Sequence, residues 1–470
     1  MPTPWSKRAS GGALGALLLL LPVAGLRADG APRPVGFRES ARVHTGHAPL
    51  ALALGDLDRD GRADAILVSD DSTLTTLLGD GAGGLGAQRD TSMGMDVVAL
   101  ALGDLDHDGQ LDAVVSSPAS GTVLSLLGAG DGGFDGVRTL RGPWSPGALA
   151  LTRMSERPDL VVADLFFQSL VVARNVGGGS FEFANQVAGF LDPVSIAVGD
   201  LTRDALKDVA VADAASHLAT VVTDPEESQF TMRRDQPIAG RPSAVGFGDL
   251  DRDGRDDVVI ATRSPGALAV CRAAADGSLE PAHYVTAGSA PVALVLGDFD
   301  GDGRLDVAVA DRDDVSIGVW LGRGDGTLIR LGGIPTGAGP AALAIADMNS
   351  DGWPDLVCAN HDDGTVQVLL NTSTLAAGTV HLLAPTPNPA STSSLITFVL
   401  STSMTVTLDV HDLAGRLVRR LIDGVMMPPG PNTVRWDGRT DARKGVCSGV
   451  YLVRLRAGNA DVSTRLVFGR

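Results

Sequence analysis

The chain has 470 residues, 44% of them hydrophobic, and a formal net charge of −18. That length allows two or three domains with packed cores, while the acidic excess argues against nucleic acid and anionic membranes as partners, because both need a basic face. Glycine at 59 copies with aromatics at 4% predicts many tight turns and thin strands, and three distant cysteines (Cys271, Cys358, Cys447) fit neither a disulfide framework nor a zinc pattern, so they read as small buried apolar residues.

The N-terminal stretch "MPTPWSKRASGGALGALLLLLPVAGLRADG" opens with the basic pair Lys7 and Arg8, followed by an apolar run from Ala13 to Gly25. Thirteen residues are too few to cross a bilayer, which needs about 20. The pattern predicts a secretory signal over 1–28, cleaved near Gly25 or Ala28. The mature chain is therefore expected to be secreted or held at the cell surface, with no transmembrane span.

Downstream, one acidic motif returns, starting at Asp56, Asp104, Asp200, Asp249, Asp298 and Asp347, in steps of 48, 96, 49, 49 and 49 residues. The double step holds a further unit, "ALALTRMSERPDLVVAD" (148–164), with its acids largely lost. Seven units of about 49 residues follow, each scanning as four short strands between glycine- or aspartate-rich turns. The last unit stops after its third strand, "TVQVLLN" (365–371), and a spare strand, "VGFRESARVHTG" (35–46), precedes the first. Pairing these two would close a ring and remove its edges. The expected fold is all-β, a seven-bladed β-propeller over residues 34–371.

Five copies keep the form D-x-[DN]-x-D-G-x-x-D: 56–64, 104–112, 249–257, 298–306 and 347–355. Oxygen side chains at positions one, three and five can wrap a hard cation, glycine at six allows a sharp turn, position seven offers its carbonyl and the aspartate at nine closes the cage. The candidate ligands are Asp56, Asp58, Asp60, Arg62 and Asp64; Asp104, Asp106, Asp108, Gln110 and Asp112; Asp249, Asp251, Asp253, Arg255 and Asp257; Asp298, Asp300, Asp302, Arg304 and Asp306; and Asp347, Asn349, Asp351, Trp353 and Asp355. About five structural calcium sites are expected. Position two is apolar in all five (Leu57, Leu105, Leu250, Phe299, Met348) and is expected to turn into the core. A hairpin turn explains one such copy, but not five in register. In the fourth unit, "DLTRDALKD" (200–208) has Thr202 and Ala205 where a carboxylate and the glycine stand elsewhere. A left-handed alanine costs about 1 kcal/mol, so weak binding or none is expected there. The third unit keeps only Asp159 and should be empty.

These units resemble the FG-GAP/VCBS repeats of the integrin alpha-chain propeller and of many secreted bacterial proteins. "GDLDRDGRAD" is similar to that family's calcium loop, and "LLGDGAGGLG" (77–86) to its glycine-rich segment between third and fourth strands. The resemblance implies a calcium-binding propeller and leaves the partner open.

After a Ser-, Thr-, Ala- and Pro-rich linker (372–387), alternating strands predict a small β-sandwich over 388–470. "PTPNP", "HDLAGRLVRRL", "VRWDGR" and "CSGVYLVRL" resemble the Ig-like domain that ends many type IX secretion cargo proteins and is related to the FlgD module. That resemblance implies a sorting signal attaching the protein to the cell envelope. Trp436 and Tyr451 are expected in its core, and Asp412 and Gly415 in a hairpin turn.

The calcium loops should share one face of the disc, leaving the turns between second and third strands on the other. That face is polar and varied, as a recognition surface can be, and carries the pair Phe166 and Phe167 together with Arg263, Arg312, His217 and His361. The predicted function is adhesion or binding of an extracellular protein or glycan. The alternatives are a structural surface protein without a discrete ligand, or a polysaccharide lyase or hydrolase with dispersed catalytic residues. No Gly-x-Ser-x-Gly elbow or His-Glu-x-x-His motif supports the last.

Overall fold

The computed structural model describes residues 35–152, 157–204, 206–226, 229–373, 380–383, 385, 388, 390–458 and 460–469. The expected signal segment, Ala205 and most of the expected linker lie outside them. Among the described residues every regular element is a β-strand, and no helix is long and apolar enough to cross a membrane.

Six four-stranded antiparallel sheets follow one another along the chain, over 49–92, 99–141, 146–188, 193–237, 241–286 and 291–335. In each, strands pair in chain order. The first consists of Pro49–Gly55, Asp64–Ser69, Thr73–Gly79 and Leu85–Ser92. A seventh sheet has three strands in order, Pro340–Ala346, Asp355–Asn360 and Thr365–Asn371, and takes Phe37–His44 as its fourth. That strand runs antiparallel to Thr365–Asn371, from Phe37 opposite Asn371 to His44 opposite Thr365. The spare N-terminal strand thus sits where the truncated last unit needs it.

First strands pack on first strands of the next sheet all the way round, and Pro340–Ala346 returns to Pro49–Gly55. The cores lie between neighbouring sheets. Ala51, Ala53, Leu57, Ile66 and Val68 of the first meet Val97, Leu100, Ala113, Val115 and Leu124 of the second. Slim Ala, Val and Leu side chains fill these seams, which accounts for the scarcity of aromatics. Second strands such as Asp64–Ser69 are buried throughout, while fourth strands such as Leu85–Ser92 are exposed beyond their first residue. The position-two residues Leu57, Leu105, Leu250, Phe299 and Met348 are all buried, as is Leu201 in the fourth sheet. In six sheets a proline stands first or, as Pro242 does, second in the first strand, and in each the register shifts just after it, as between Pro49 and Ala51 or Pro340 and Ala342. Proline has no N–H to give the ladder, so it stands at the strand end beside a bulge.

Beyond the ring, a three-stranded sheet (Val380–Leu382, Ser394–Leu400, Gly430–Trp436) faces a four-stranded one (Met404–Asp412, Leu417–Met427, Gly449–Ala457, Ala460–Phe468). They share one core, in which Ile396, Phe398 and Trp436 meet Leu408, Val410, Tyr451, Leu455 and Phe468. Tyr451 and Trp436 are buried, and Gly415 N–H donates to Asp412 O in the hairpin. Cys271 and Cys358 are buried as expected, but Cys447 is exposed. It stands in the irregular segment before Gly449–Ala457, outside either sheet.

Candidate metal centres and the opposite face

Each acidic loop is the turn between the first and second strands of its sheet. Left-handed backbone recurs at position six, where Gly61 has φ 85° and Gly303 φ 81°, and also at position four: Arg59 (66°), His107 (65°), Arg252 (66°), Gly301 (66°) and Ser350 (58°). Only the first was expected from sequence. This folding turns peptide N–H groups onto the carboxylates. Asp60 N–H donates to Asp56 Oδ1 and Asp58 Oδ1 (3.1 Å each), Gly61 N–H to Asp56 Oδ2 (3.0 Å) and Arg62 N–H to Asp60 Oδ1 (2.9 Å). The fifth, sixth and seventh loops repeat the scheme.

Among the described residues, Asp56, Asp58 and Asp64, then Asp104, Asp106 and Asp108, then Asp249, Asp251 and Asp257, and Asp298, Asp300 and Asp302 bring ligand oxygens within 4.8 Å of one another. Such groups can share a metal ion. In the second loop Asp104 Oδ1 is buried and without a hydrogen-bond partner, as a cation ligand would be. In the seventh, Asn349 Oδ1 accepts from Asp351 N–H (3.1 Å) and its amide donates to Asp351 Oδ2 (2.9 Å).

Position nine does more than close a cage. Asp64 Oδ2 accepts from Leu57 N–H (2.8 Å) and Oδ1 from Gly79 N–H (2.7 Å), tying the loop's start to the end of the third strand. Asp112, Asp257, Asp306 and Asp355 make the same two bonds in their sheets. Asp159 keeps the bond from the third-strand end, accepting Asn175 N–H at 2.8 Å, although its unit lacks the other aspartates of the motif. The tie therefore does not depend on the rest of the motif.

Burial, with neighbouring carboxylates adding to it, raises these acids. Asp112, Asp302 and Asp347 are pushed up to about 6, and Asp257, Asp298 and Asp355 to about 7. Asp306 rises well above the ordinary value of 3.8. The sixth loop is the most enclosed, with Asp298, Asp300 and Asp306 all buried. Crowded carboxylates in a place poor in water call for a proton or a cation.

The departing loops are engaged differently. Asp200 N–H donates to Asp256 Oδ2 (2.7 Å), Asp256 N–H to Asp200 O (2.9 Å) and Arg203 to Asp253 O (3.1 Å), so the fourth loop leans on the fifth.

On the opposite face Asp164 organises the phenylalanine turn. Its Oδ1 accepts from the N–H groups of Ser145 (3.0 Å), Phe166 (2.9 Å) and Phe167 (3.3 Å). The rings meet edge to face at 4.9 Å and remain 67% and 49% exposed, with Leu165 and Leu191 exposed beside them. The other expected residues lie in different sheets. Arg312 donates to Asp362 (2.8 Å), whose other partner is His361 Nδ1 (2.7 Å), and His361 Nε2 faces Asp70 at 3.7 Å. Next to it, His47 stands between Asp71 (2.5 Å) and Asp90 (3.7 Å), a cluster the sequence reading missed because His47 precedes the first repeat. Arg263 spends its Nε on Pro291 O (3.1 Å), and burial pulls its pKa down. His217 contacts Gly240 O. The aromatic pair in the third sheet and the Arg312–Asp362–His361 chain across the sixth and seventh do not form one site.

Three stretches, 56–115, 249–309 and 298–358, match the FG-GAP-like repeat family. No curated protein sequence is significantly similar to the chain. Among solved structures it resembles BBS1N in complex with ARL6DN, with a TM-score of 0.52, 12% identity and coverage of 71% of this chain and 96% of that one. It also resembles virginiamycin B lyase from Staphylococcus aureus, with a TM-score of 0.51, 10% identity and coverage of 71% and 99%. At such identities the likeness is one of fold. The chain carries FG-GAP-like repeats on a propeller-like all-β fold.

Proposed function

We propose that the seven sheets are the blades of a calcium-stabilised propeller over residues 34–371, secreted or held at the cell surface, which binds an extracellular protein or glycan. The observation that carries the calcium reading is the convergence of carboxylate oxygens in four loops, with Asp104 Oδ1 buried and unpartnered in one of them. Calcium suits all-oxygen sites that combine carboxylates and carbonyls. Positions one, three, five and nine and the carbonyl at seven would hold it, where it would offset charge that burial makes costly. The fifth such site would use Asp347, Asn349, Asp351, Asp355 and the Trp353 carbonyl.

Recognition falls to the face opposite the loops, where Asp164 presents Phe166 and Phe167 to solvent. Exposed apolar groups held by a rigid turn favour a binding role. The two C-terminal sheets are read as an Ig-like domain over 388–470 that sorts and attaches the protein to the cell envelope.

Calorimetric titration of the mature chain with calcium tests the core of this reading. About five sites, with a lower melting temperature in chelator, are expected. Absence of calcium binding would overturn it. A glycan and surface-protein array then addresses the partner, and turnover of a polysaccharide would replace binding by catalysis.

A further inference from the structure

The seventh acidic loop differs from its counterparts at position seven. Elsewhere that side chain returns to the position-five carboxylate: Arg62 to Asp60 (3.4 Å), Gln110 to Asp108 (2.6 Å), Arg255 to Asp253 (2.7 Å) and Arg304 to Asp302 (3.2 Å). Here the residue is Trp353, uncharged and only 6% exposed.

What lies over this loop is the C-terminal pair of sheets. A Cβ placed on Gly352 would come within 2.6 Å of Val399 Cγ2 and 3.0 Å of Leu383 Cδ1. A cleft of about 330 Å³ is walled on one side by Asn349, Asp351 and Trp353 and on the other by Val399, Gly430 and Pro431. The loop backbone is tied to its own acids, since Gly352 N–H donates to Asp347 Oδ2 (2.8 Å) and Trp353 N–H to Asp351 Oδ1 (2.9 Å). At the chain's exit from the ring, Asn371 Nδ2 donates to Phe299 O (2.9 Å) and Pro354 O (3.3 Å).

Two domains joined by a linker move relative to one another unless a large apolar interface prevents it. We infer that the seventh acidic loop, through Gly352 and the Trp353 indole, is the docking surface for the C-terminal domain, so that the acids assigned to a cation there also set the domain's position. This rests on the reading of the loops as calcium sites. With Asp347 and Asp351 ligated, residues 352 and 353 are held in the shape that receives Val399 and Leu383. Without a ligand, the repelling carboxylates loosen that shape and the domain is released.

The test uses the whole mature chain, calcium alone as the probe, small-angle scattering for the interdomain arrangement and calorimetry for stoichiometry. Wild type is expected to be compact in calcium and extended in chelator. Asp347→Asn with Asp351→Asn should lose one calcium site and stay extended in calcium. The matched pair Asp249→Asn with Asp253→Asn should lose one site and stay compact. Trp353→Arg, which restores the residue found at 62, 255 and 304, should keep every site yet extend, with its melting profile confirming the fold. If the Asp347/Asp351 variant loses its site but remains compact, the docking inference falls and the calcium reading stands. If wild type binds no calcium, both fall. A compact Trp353→Arg protein would also overturn the inference.

Discussion

The peptide N–H of Gly83 donates to the carbonyl of Met348 at 3.1 Å, and that bond ties the glycine-rich turn of the first sheet to the acidic loop of the last. The same connection runs from Gly132 to Leu57 O (3.2 Å) and from Gly326 to Leu250 O (3.1 Å). In the third and seventh sheets an asparagine side chain makes this connection instead: Asn175 reaches Leu105 O and Asn371 reaches Phe299 O, both at 2.9 Å. Each of these loops is thus held by the next sheet through its position-two carbonyl, while the position-two side chain fills the core below.

Gly83 tests this seam. Its φ of +88° disfavours any side chain, and a Cβ would stand 2.8 Å from Leu370 Cδ1 and 2.9 Å from Ser40 Oγ. Gly46 has a similar φ of +78° and open space around it. Gly46→Ala should therefore lose about 1 kcal/mol from backbone strain alone, and Gly83→Ala a further 1–3 kcal/mol, roughly, from crowding. Urea unfolding of the two variants measures the difference, and equal losses would mean the seam absorbs a methyl group freely.

The acidic loops predict how stability depends on pH when no cation is bound. Burial and then neighbouring carboxylates raise Asp112 and Asp347 to about 6 and Asp257 and Asp355 to about 7, from an ordinary value of 3.8. A folded-state value above the unfolded one means the folded chain retains protons that the unfolded chain has released. Their contribution to stability is complete below about pH 4 and disappears as pH rises through 6 to 7. Asp80, Asp131 and Asp362 are shifted downward and act below that window. In chelator the melting temperature should fall from pH 5 to pH 8, and in calcium that fall should vanish, because a cation replaces the protons. Identical curves in the two buffers would contradict the cation reading.

Asp159 separates the two duties of position nine. It lies in the sheet whose unit lacks the other aspartates of the motif, and its Oδ1 still receives Asn175 N–H. Asp159→Ala leaves that buried donor unpaired and should cost about 1–3 kcal/mol. The loss should be the same in calcium and in chelator. Asp104→Asn, by contrast, should lower the melting temperature only in calcium. Melting curves of both variants in both buffers check this.

Much of this arrangement was legible in sequence because the period of about 49 residues repeats a complete local unit. Strand order and the glycine at position six follow from contacts inside one such unit, and the apolar position two shows itself by recurring at the same place in every copy. What stayed hidden depends on the neighbouring sheet or on backbone angles that many residues tolerate. The left-handed position four is filled by Arg59, His107, Arg252 and Ser350, none of which announces that conformation. Asn175 and Asn371 stand in for glycines of another unit, an equivalence visible only once the sheets are side by side. Arg263 looked like a recognition residue on its turn, yet it packs inward against Pro291 O, a carbonyl contributed by the following sheet.

Phe166 and Phe167 carry the last prediction. Both rings stand in solvent, and the turn beneath them is held by backbone donors to Asp164, so the side chains contribute little to folding. Replacing both by serine should leave stability within about 0.5 kcal/mol. Burying one phenylalanine against a partner is worth roughly 1.5–3 kcal/mol, and each 1.4 kcal/mol is about tenfold in affinity. Phe166→Ser with Phe167→Ser should therefore weaken binding of the ligand found in the array at least about tenfold while the melting curve is unchanged. Arg312→Gln on the far side of the face should leave that binding intact, since Asp362, itself paired with His361, occupies its guanidinium. If the serine pair binds as wild type does and Arg312→Gln does not, recognition belongs to the sixth and seventh sheets instead.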